Sequence, residues 1–439
     1  MNSLPENSEA QAGGSGPRIV TLGCRLNTLE SEVIREQLIK AGNPNAVVIN
    51  TCAVTAEAER QARQTIRRLK RENPDAKIIV TGCAAQLNPK RFSKMTEVDR
   101  VVGNEEKLLA HTLWGNGYES DESSICVSDI SQVRETSGHL VSGLEGRARA
   151  FVMIQQGCDN TCTFCIIPTA RGHNRAVKLN DIVAQVKKLA SEGYNEIVLT
   201  GVDIAAYGDD LTDDIGLGDV IETVLSQVPD LPRLRLSSLD PARIDEKLIN
   251  LFATEPRLMP HVHLSLQSMD AMVLKRMKRR HDPEMVFTLI NKLRGARPEI
   301  ALGADIIAGF PTETDEMANN TLSGVLQMGL DYFHVFPYSP RPGTPAEKMP
   351  QVATEIIKRR AKALRIAGDA QLQKRLSSMV GKTLSVLVEK PDRARSGCFA
   401  LVRLDCPQTP GSIINVMIDG VVDENLSGRV DAEKFLNNG

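Results

Sequence analysis

The sequence predicts an α/β protein in three parts. These are an open α/β (Rossmann-like) N-terminal domain, a central partial (βα)6 barrel and a small C-terminal antiparallel β-barrel. Three observations predict it. Short apolar strands alternate with amphipathic helices from about residue 17 to residue 372. After residue 373 the pattern changes to short strands punctuated by Gly, Pro and Asp. Six of the nine cysteines fall just beyond expected strands, at the edge where open sheets and barrels carry their working loops.

The expected boundaries are a disordered tail at 1–16, an N-terminal domain at 17–115, a polar linker at 116–146, the barrel at 147–372 and the small β-barrel at 373–439. In the first domain, residues 18–22, 46–50 and 77–81 read as strands, and 26–41 and 56–71 space their apolar residues as helices do. The linker is rich in Ser, Asp and Glu, with a strand expected around 125–127. The barrel strands are expected at 151–155, 196–200, 233–237, 261–266, 302–308 and 332–336. The last domain should carry strands at 383–388, 399–403 and 413–418.

A hydrophobic fraction of 41% over 439 residues is enough for real cores. No apolar run is long enough to span a bilayer, and the N-terminus lacks the apolar centre of a secretory signal, so a cytoplasmic protein without a membrane partner is expected. The net charge of −2 does not announce nucleic acid. Basic residues nevertheless crowd three stretches: Arg60 to Arg71, Lys275 to Arg280 and Lys358 to Arg365. Each reads either as a solvated helix face or as a phosphate-binding surface.

Cys158, Cys162 and Cys165 supply three thiols from one loop in GCDNTCTFCIIP, and only three. A four-iron cluster held this way keeps one iron open to substrate or cofactor. A Cys3His zinc site with His173 is the competing reading. Cys24, Cys52 and Cys83 each follow a strand of the first sheet, so they should meet in space although far apart in sequence. Two three-thiol sites favour two iron–sulfur clusters. Cys126, Cys398 and Cys406 read as structural or free thiols.

With these residues in place, the chain resembles the radical S-adenosylmethionine methylthiotransferases. The Cys-x3-Cys-x2-Cys loop with the aromatic Phe164 matches the superfamily pattern, and the three-cysteine first domain and the C-terminal barrel (a TRAM domain) match the methylthiotransferases. Three branches act on isopentenyl-adenosine in tRNA, on a ribosomal-protein aspartate, and on threonylcarbamoyl-adenosine in tRNA. TLGCRLN, NTCAVTAEAERQARQTIRRL, GCAAQ, RLRLSSLDP, LKRMKRRH and HVFPYSPRPGTPAEKM make the chain look like the third. It departs from the usual pattern at TGVDIAAYG, at Met269 and at Thr312, where Gly is usual for the last two.

The resemblance implies two [4Fe–4S] clusters, one on Cys158, Cys162 and Cys165 and one on Cys24, Cys52 and Cys83. S-adenosylmethionine would bind the open iron of the first and yield a carbon radical. The second would carry the sulfur that is methylated and delivered to C2 of the modified adenine just 3′ of the anticodon. Phe164, Gly201, Ser265, Gln267 and Gly309 are the implied cofactor contacts, and no catalytic residue is implied beyond the cluster ligands. The implied partners are the tRNA anticodon stem-loop, an electron donor such as a flavodoxin or ferredoxin, and a sulfur source. The alternatives are the isopentenyl-adenosine branch and, in another class, an iron–sulfur or zinc RNA-binding protein without catalysis.

Overall fold

The computed structural model describes residues 8–9, 17–42, 46–109, 124–136, 143 and 146–431. The first sheet has six strands in the order Ser8–Glu9, Arg18–Thr21, Ala46–Thr51, Lys77–Gly82, Arg100–Val102 and Ile125–Cys126, and all but the first pair are parallel. Its central strands are buried on both faces. Val20, Val47, Ile49, Ile78 and Val80 pack on one side and Ile19, Val48, Ile79 and Val102 on the other, as period-2 alternation requires.

One expectation changes here. The part of the 1–16 tail that is described, Ser8–Glu9, is an antiparallel edge strand on Val20–Thr21 rather than disordered chain; the rest lies outside the described residues. The strand expected around 125–127 is Ile125–Cys126, at the sheet's other edge.

Helix Ala56–Glu72 shows why these segments fold as they do. Thr55 accepts a hydrogen bond from the Ala58 N–H at 3.1 Å, capping the first turn. Glu57 and Glu59 sit near its N-terminus and Lys70 and Arg71 near its C-terminus, with the dipole. Ala62, Ile66 and Leu69 form the buried stripe.

Six parallel strands make the barrel in two halves. Glu196–Thr200 lies between Ala150–Met153 and Arg233–Leu236, and Ala301–Ala308 lies between His261–Gln267 and Tyr332–Pro337. A bridge between Leu239 and Leu264 joins the halves. The open side is filled from the first domain. Leu26, Leu29 and Val33 of helix Arg25–Lys40 enter the barrel's own core beside Phe151 and Val152.

Five strands close the C-terminal barrel: Thr383–Lys390, Arg393–Ser396, Leu401–Leu404, Asn425–Val430 and Ile413–Val422. It is not wholly antiparallel, because Leu401–Leu404 and Asn425–Val430 pair in parallel. The strand expected from Phe399 starts at Leu401, since Phe399 turns the chain at φ +74°. This barrel is seated on the amino ends of the larger barrel's strands. Arg233 Nη2 donates to Ser385 Oγ at 2.9 Å, Asn195 Nδ2 to the Gly411 carbonyl at 2.9 Å and the Tyr332 hydroxyl to the Cys398 carbonyl at 3.1 Å. Among the described residues no helix is long and apolar enough to cross a membrane.

Candidate active site

Two glycines bring Cys24, Cys52 and Cys83 together. Gly23 has φ +111°, and a Cβ there would lie 2.8 Å from Cys52 Cβ. Gly82 has φ +92°, and a Cβ there would lie 2.3 Å from the Thr51 carbonyl. Only glycine allows this approach and this backbone. Cys24 stands at the N-cap of helix Arg25–Lys40 without capping it, and its sulfur is 3.8 Å from Asn27 Oδ1. Burial pushes the Cys52 thiol up to about 12, and the neighbouring Cys83 and Cys24 thiols add to this. Burial raises Cys24 as well, against the pull of Arg171.

Arg171 is the cation of this site. It is buried, and its Nε donates to Cys83 Sγ at 3.2 Å and its Nη2 to Asn27 Oδ1 at 2.6 Å. Its other partner is Glu30, which also accepts from Lys107 Nζ at 2.6 Å. Burial alone would raise the Glu30 carboxyl, but Arg171 and Lys107 outweigh it and hold it at about 2. Asn104 completes the set, donating to the Ala170 carbonyl at 2.7 Å and lying 3.9 Å from Cys83 Sγ. The site is thus three thiols with a buried guanidinium held against one of them.

The second trio lies past strand Ala150–Met153. The loop is closed by Cys158 N–H on the Gly172 carbonyl at 3.0 Å and Cys165 N–H on the Cys162 carbonyl at 3.2 Å. The other half of the barrel grips it. Thr163 Oγ1 donates to the Arg276 carbonyl at 2.8 Å, and Arg279 Nη1 reaches Cys162 Sγ at 3.5 Å. Burial raises Cys158 to about 11 and Cys165 to about 12.

Of the residues expected around the cofactor, Phe164 belongs to this loop and the others lie at or just past barrel strand ends. Phe164 meets Phe310 edge-on at 6.4 Å between ring centroids. Gly201 lies against Gln155, and Asp203, two residues on, accepts from Asn160 of the loop at 2.8 Å. The Ser265 carbonyl accepts from Arg279 Nη2 at 2.8 Å. Gln267 follows a bulge with φ +70°. Gly309 donates its N–H to Glu313 Oε2 at 3.0 Å and precedes Phe310.

Sulfur spacing separates zinc from a larger cluster. Three thiolates on one tetrahedral zinc lie about 3.8 Å apart, given Zn–S distances near 2.3 Å. Among the described residues the one trio of ligand atoms all within 4.8 Å of one another is His263, Asp305 and His334. Both cysteine trios are therefore wider than a zinc cage. His173 is turned to Asp159 at 2.7 Å.

The barrel lumen is polar. His263, Asp305 and His334 face one another from three adjacent strands, with His263 Nε2 to Asp305 Oδ1 at 3.0 Å and His334 Nδ1 at 3.4 Å from the same oxygen. Below them, His261 stacks on Phe399 at 4.7 Å. Arg25, Arg149, Arg235 and Arg395 surround that ring at 5.8, 5.4, 5.1 and 4.4 Å from its centroid. Holding Phe399 at positive φ costs about 1 kcal/mol or more.

Sequence reasoning missed Arg171, Glu30, Lys107 and Asn27, since no spacing rule marks a buried ion network. The available signal was position: Asn27 follows Cys24 by three residues and Arg171 follows Cys165 by six. In two of the three basic stretches some members are spent inside the fold, although Lys275, Lys278, Arg280, Lys358, Arg359 and Lys362 are exposed. Arg276 and Arg279 hold the cysteine loop, Arg360 pairs with Glu313 at 2.8 Å, and Arg365 donates to the Val335 carbonyl at 3.2 Å. The stretch from Arg60 to Arg71 does present Arg60, Arg67 and Arg71 to solvent.

This fold and these sites define a class. A family model described as the radical SAM superfamily matches residues 152–323, and one described as uncharacterized protein family UPF0004 matches 17–103. A radical S-adenosylmethionine methyltransferase, TsrM from Kitasatospora setae, shares the fold with a TM-score of 0.55 at 17% identity, covering 73% of each chain. The threonylcarbamoyladenosine tRNA methylthiotransferase MtaB of Rickettsia prowazekii is 51% identical over 92% of this chain and 94% of its own length. That of Bacillus subtilis is 36% identical over 84% of each. The tRNA-2-methylthio-N(6)-dimethylallyladenosine synthase of the same bacterium is 33% identical, over 94% of this chain and 86% of its own length. The chain belongs to the radical S-adenosylmethionine methylthiotransferase family. Its cofactors are accordingly two [4Fe–4S] clusters and S-adenosylmethionine. Two sets of three free thiols supply the donor type that such clusters take.

Proposed function

We propose that this enzyme adds a methylthio group to C2 of N6-threonylcarbamoyladenosine just 3′ of the anticodon in tRNA. The observation that carries this reading is the join between the two thiol sites. Helix Ile167–Arg171 begins two residues after Cys165 and ends with Arg171 on the Cys83 sulfur. A radical-generating centre and a sulfur-bearing centre are needed within reach of one carbon, and this short helix holds their protein frames in fixed relation. The threonylcarbamoyl branch is favoured over the isopentenyl branch by the 51% identity to the Rickettsia relative.

In this reading Cys158, Cys162 and Cys165 hold one cluster and Cys24, Cys52 and Cys83 the other. Bound there, the clusters and S-adenosylmethionine supply one-electron reduction, a carbon radical, a sulfur and a methyl group. The chain's own residues position and insulate. Arg279 fixes the Cys162 sulfur, and Arg171 does so for Cys83. Phe164, Gly201, Ser265, Gln267 and Gly309 form the cofactor cradle. An electron donor such as a flavodoxin or ferredoxin and a sulfur source complete the reaction, and a tRNA substrate places it in the cytoplasm.

Mass spectrometry of tRNA nucleosides from a strain lacking the gene tests this. The 2-methylthio-N6-threonylcarbamoyl nucleoside should vanish and its unthiolated precursor accumulate. Loss of the methylthiolated isopentenyl nucleoside instead, with the threonylcarbamoyl product intact, would overturn the assignment.

A further inference from the structure

We infer that Arg25, reaching into the floor of the barrel lumen, binds the carboxylate of the threonylcarbamoyl arm and so sets the choice of substrate; this rests on the reading above. Arg25 directly follows Cys24, so its side chain starts at the sulfur-bearing site. It extends into the lumen, over the Phe399 ring and close to Arg149, Arg235 and Arg395.

The other cations of the floor are matched. Arg235 is paired with Glu196 at 2.7 Å, Arg233 lies 3.6 Å from the same carboxylate, and Arg149 and Arg395 are paired with Glu389 at 2.8 and 2.7 Å. Five arginines thus share two glutamates, and His261 adds no negative charge. Arg25 itself has no hydrogen-bond acceptor among the described residues. It also occupies the first turn of helix Arg25–Lys40, where a cation opposes the helix dipole. A part-buried guanidinium with no hydrogen-bond acceptor, among an excess of cations, favours the arrival of an anion.

The threonylcarbamoyl arm brings one. It extends from N6 of the adenine, ends in a carboxylate and a hydroxyl, and carries no cation. A guanidinium fork matches a carboxylate with two parallel hydrogen bonds. The isopentenyl arm is uncharged hydrocarbon and would leave Arg25 without an acceptor. A site that spends a buried polar group on its ligand rejects the analogue lacking the partner strongly.

The test uses the reconstituted holoenzyme and anticodon stem-loop RNAs that carry threonylcarbamoyl-adenosine, its carboxylate methyl ester, or isopentenyl-adenosine. Fluorescence anisotropy gives Kd, and single-substrate kinetics give KM and kcat. Wild-type protein should bind the acid about tenfold more tightly than the ester, as expected for losing a charged hydrogen bond. Arg25→Gln should abolish that preference and raise KM for the acid, while Arg25→Lys should keep part of it. Equal binding of acid and ester by the wild type, which needs no variant to fold, would overturn the inference with the substrate assignment intact. Retained preference in Arg25→Gln would do the same. Turnover of the isopentenyl RNA alone would overturn the substrate assignment and the inference with it.

Discussion

Arg171 donates from Nε to the sulfur of Cys83 across 3.2 Å, although 88 residues separate the two in the chain. The contact ties the loop of one thiol site to the sheet that carries the other. It is backed on the far side by Glu30, and Glu30 by Lys107, all three buried. A guanidinium held this firmly fixes the position of the Cys83 sulfur.

Iron and sulfide content after anaerobic reconstitution should therefore follow the two trios independently. The wild type should hold about eight irons per chain, and replacing Cys24, Cys52 and Cys83 together with Ala should leave about four. Arg171→Gln should move towards the same value, because it removes the cation beside Cys83 and takes one of two buried cations from Glu30. Breaking such a buried pair costs about 3–5 kcal/mol. Zinc without sulfide in the wild type would contradict the assignment of both sites.

RNA affinity should fall steeply with salt, and the slope should report which basic residues face the backbone. Arg60, Arg67 and Arg71 project from helix Ala56–Glu72 into solvent. Replacing Arg67 and Arg71 with Gln should reduce the magnitude of the log Kd against log salt slope by about 1.5, the value for two single-strand phosphate contacts. The same change at Lys358, which is exposed and pairs with Glu355, serves as the comparison and should leave the slope unmoved. An unchanged slope in the Arg67 and Arg71 double variant would remove this helix from the RNA surface.

Much of this was legible beforehand because it follows from local pattern. Strand–helix alternation gives the sheets, and cysteines just past strand ends give both thiol sites. What escaped depends on long-range burial. Glu30, Lys107 and Arg171 look like ordinary surface charges in sequence, and only the fold brings them together. The run from Lys275 to Arg280 is mixed, with Lys275, Lys278 and Arg280 exposed. Its composition suits phosphate binding, yet the side chain of Arg279 is 7% exposed and spent on Cys162, Ser265 and Asp240. Phe399 was invisible as a feature, since nothing in sequence announces a non-glycine residue at positive φ.

Acid should weaken the seat between the two barrels in a defined window. Burial alone would raise the Glu196 carboxyl, but Arg235 and Arg149 outweigh it and bring it from its ordinary 4.5 to about 2. Its folded value lies below its unfolded one. The stability it contributes is therefore present at neutral pH and lost as pH falls from about 4.5 towards 2. Urea unfolding midpoints measured from pH 7 to pH 3 should drop across the lower part of that range. Glu196→Gln should be less stable at pH 7 and lose less on acidification. A variant whose acid profile overlays the wild type would show that this pair does not set it.

Phe399 offers a test in which glycine should beat alanine. Its ring joins His261 and four guanidiniums under the lumen, while its backbone sits at φ +74°, where a side chain is strained. Both Phe399→Ala and Phe399→Gly lose the ring, at about 1–3 kcal/mol for a partly buried aromatic. Glycine recovers about 1 kcal/mol because it adopts that φ freely, whereas alanine keeps the strain. Thermal unfolding should thus rank the wild type above Phe399→Gly and Phe399→Ala lowest. This reverses the usual order of the two small residues. An alanine variant more stable than the glycine one would mean that the backbone at 399 relaxes once the ring is gone, so that the ring's stacking on His261 holds the turn rather than the turn holding the ring.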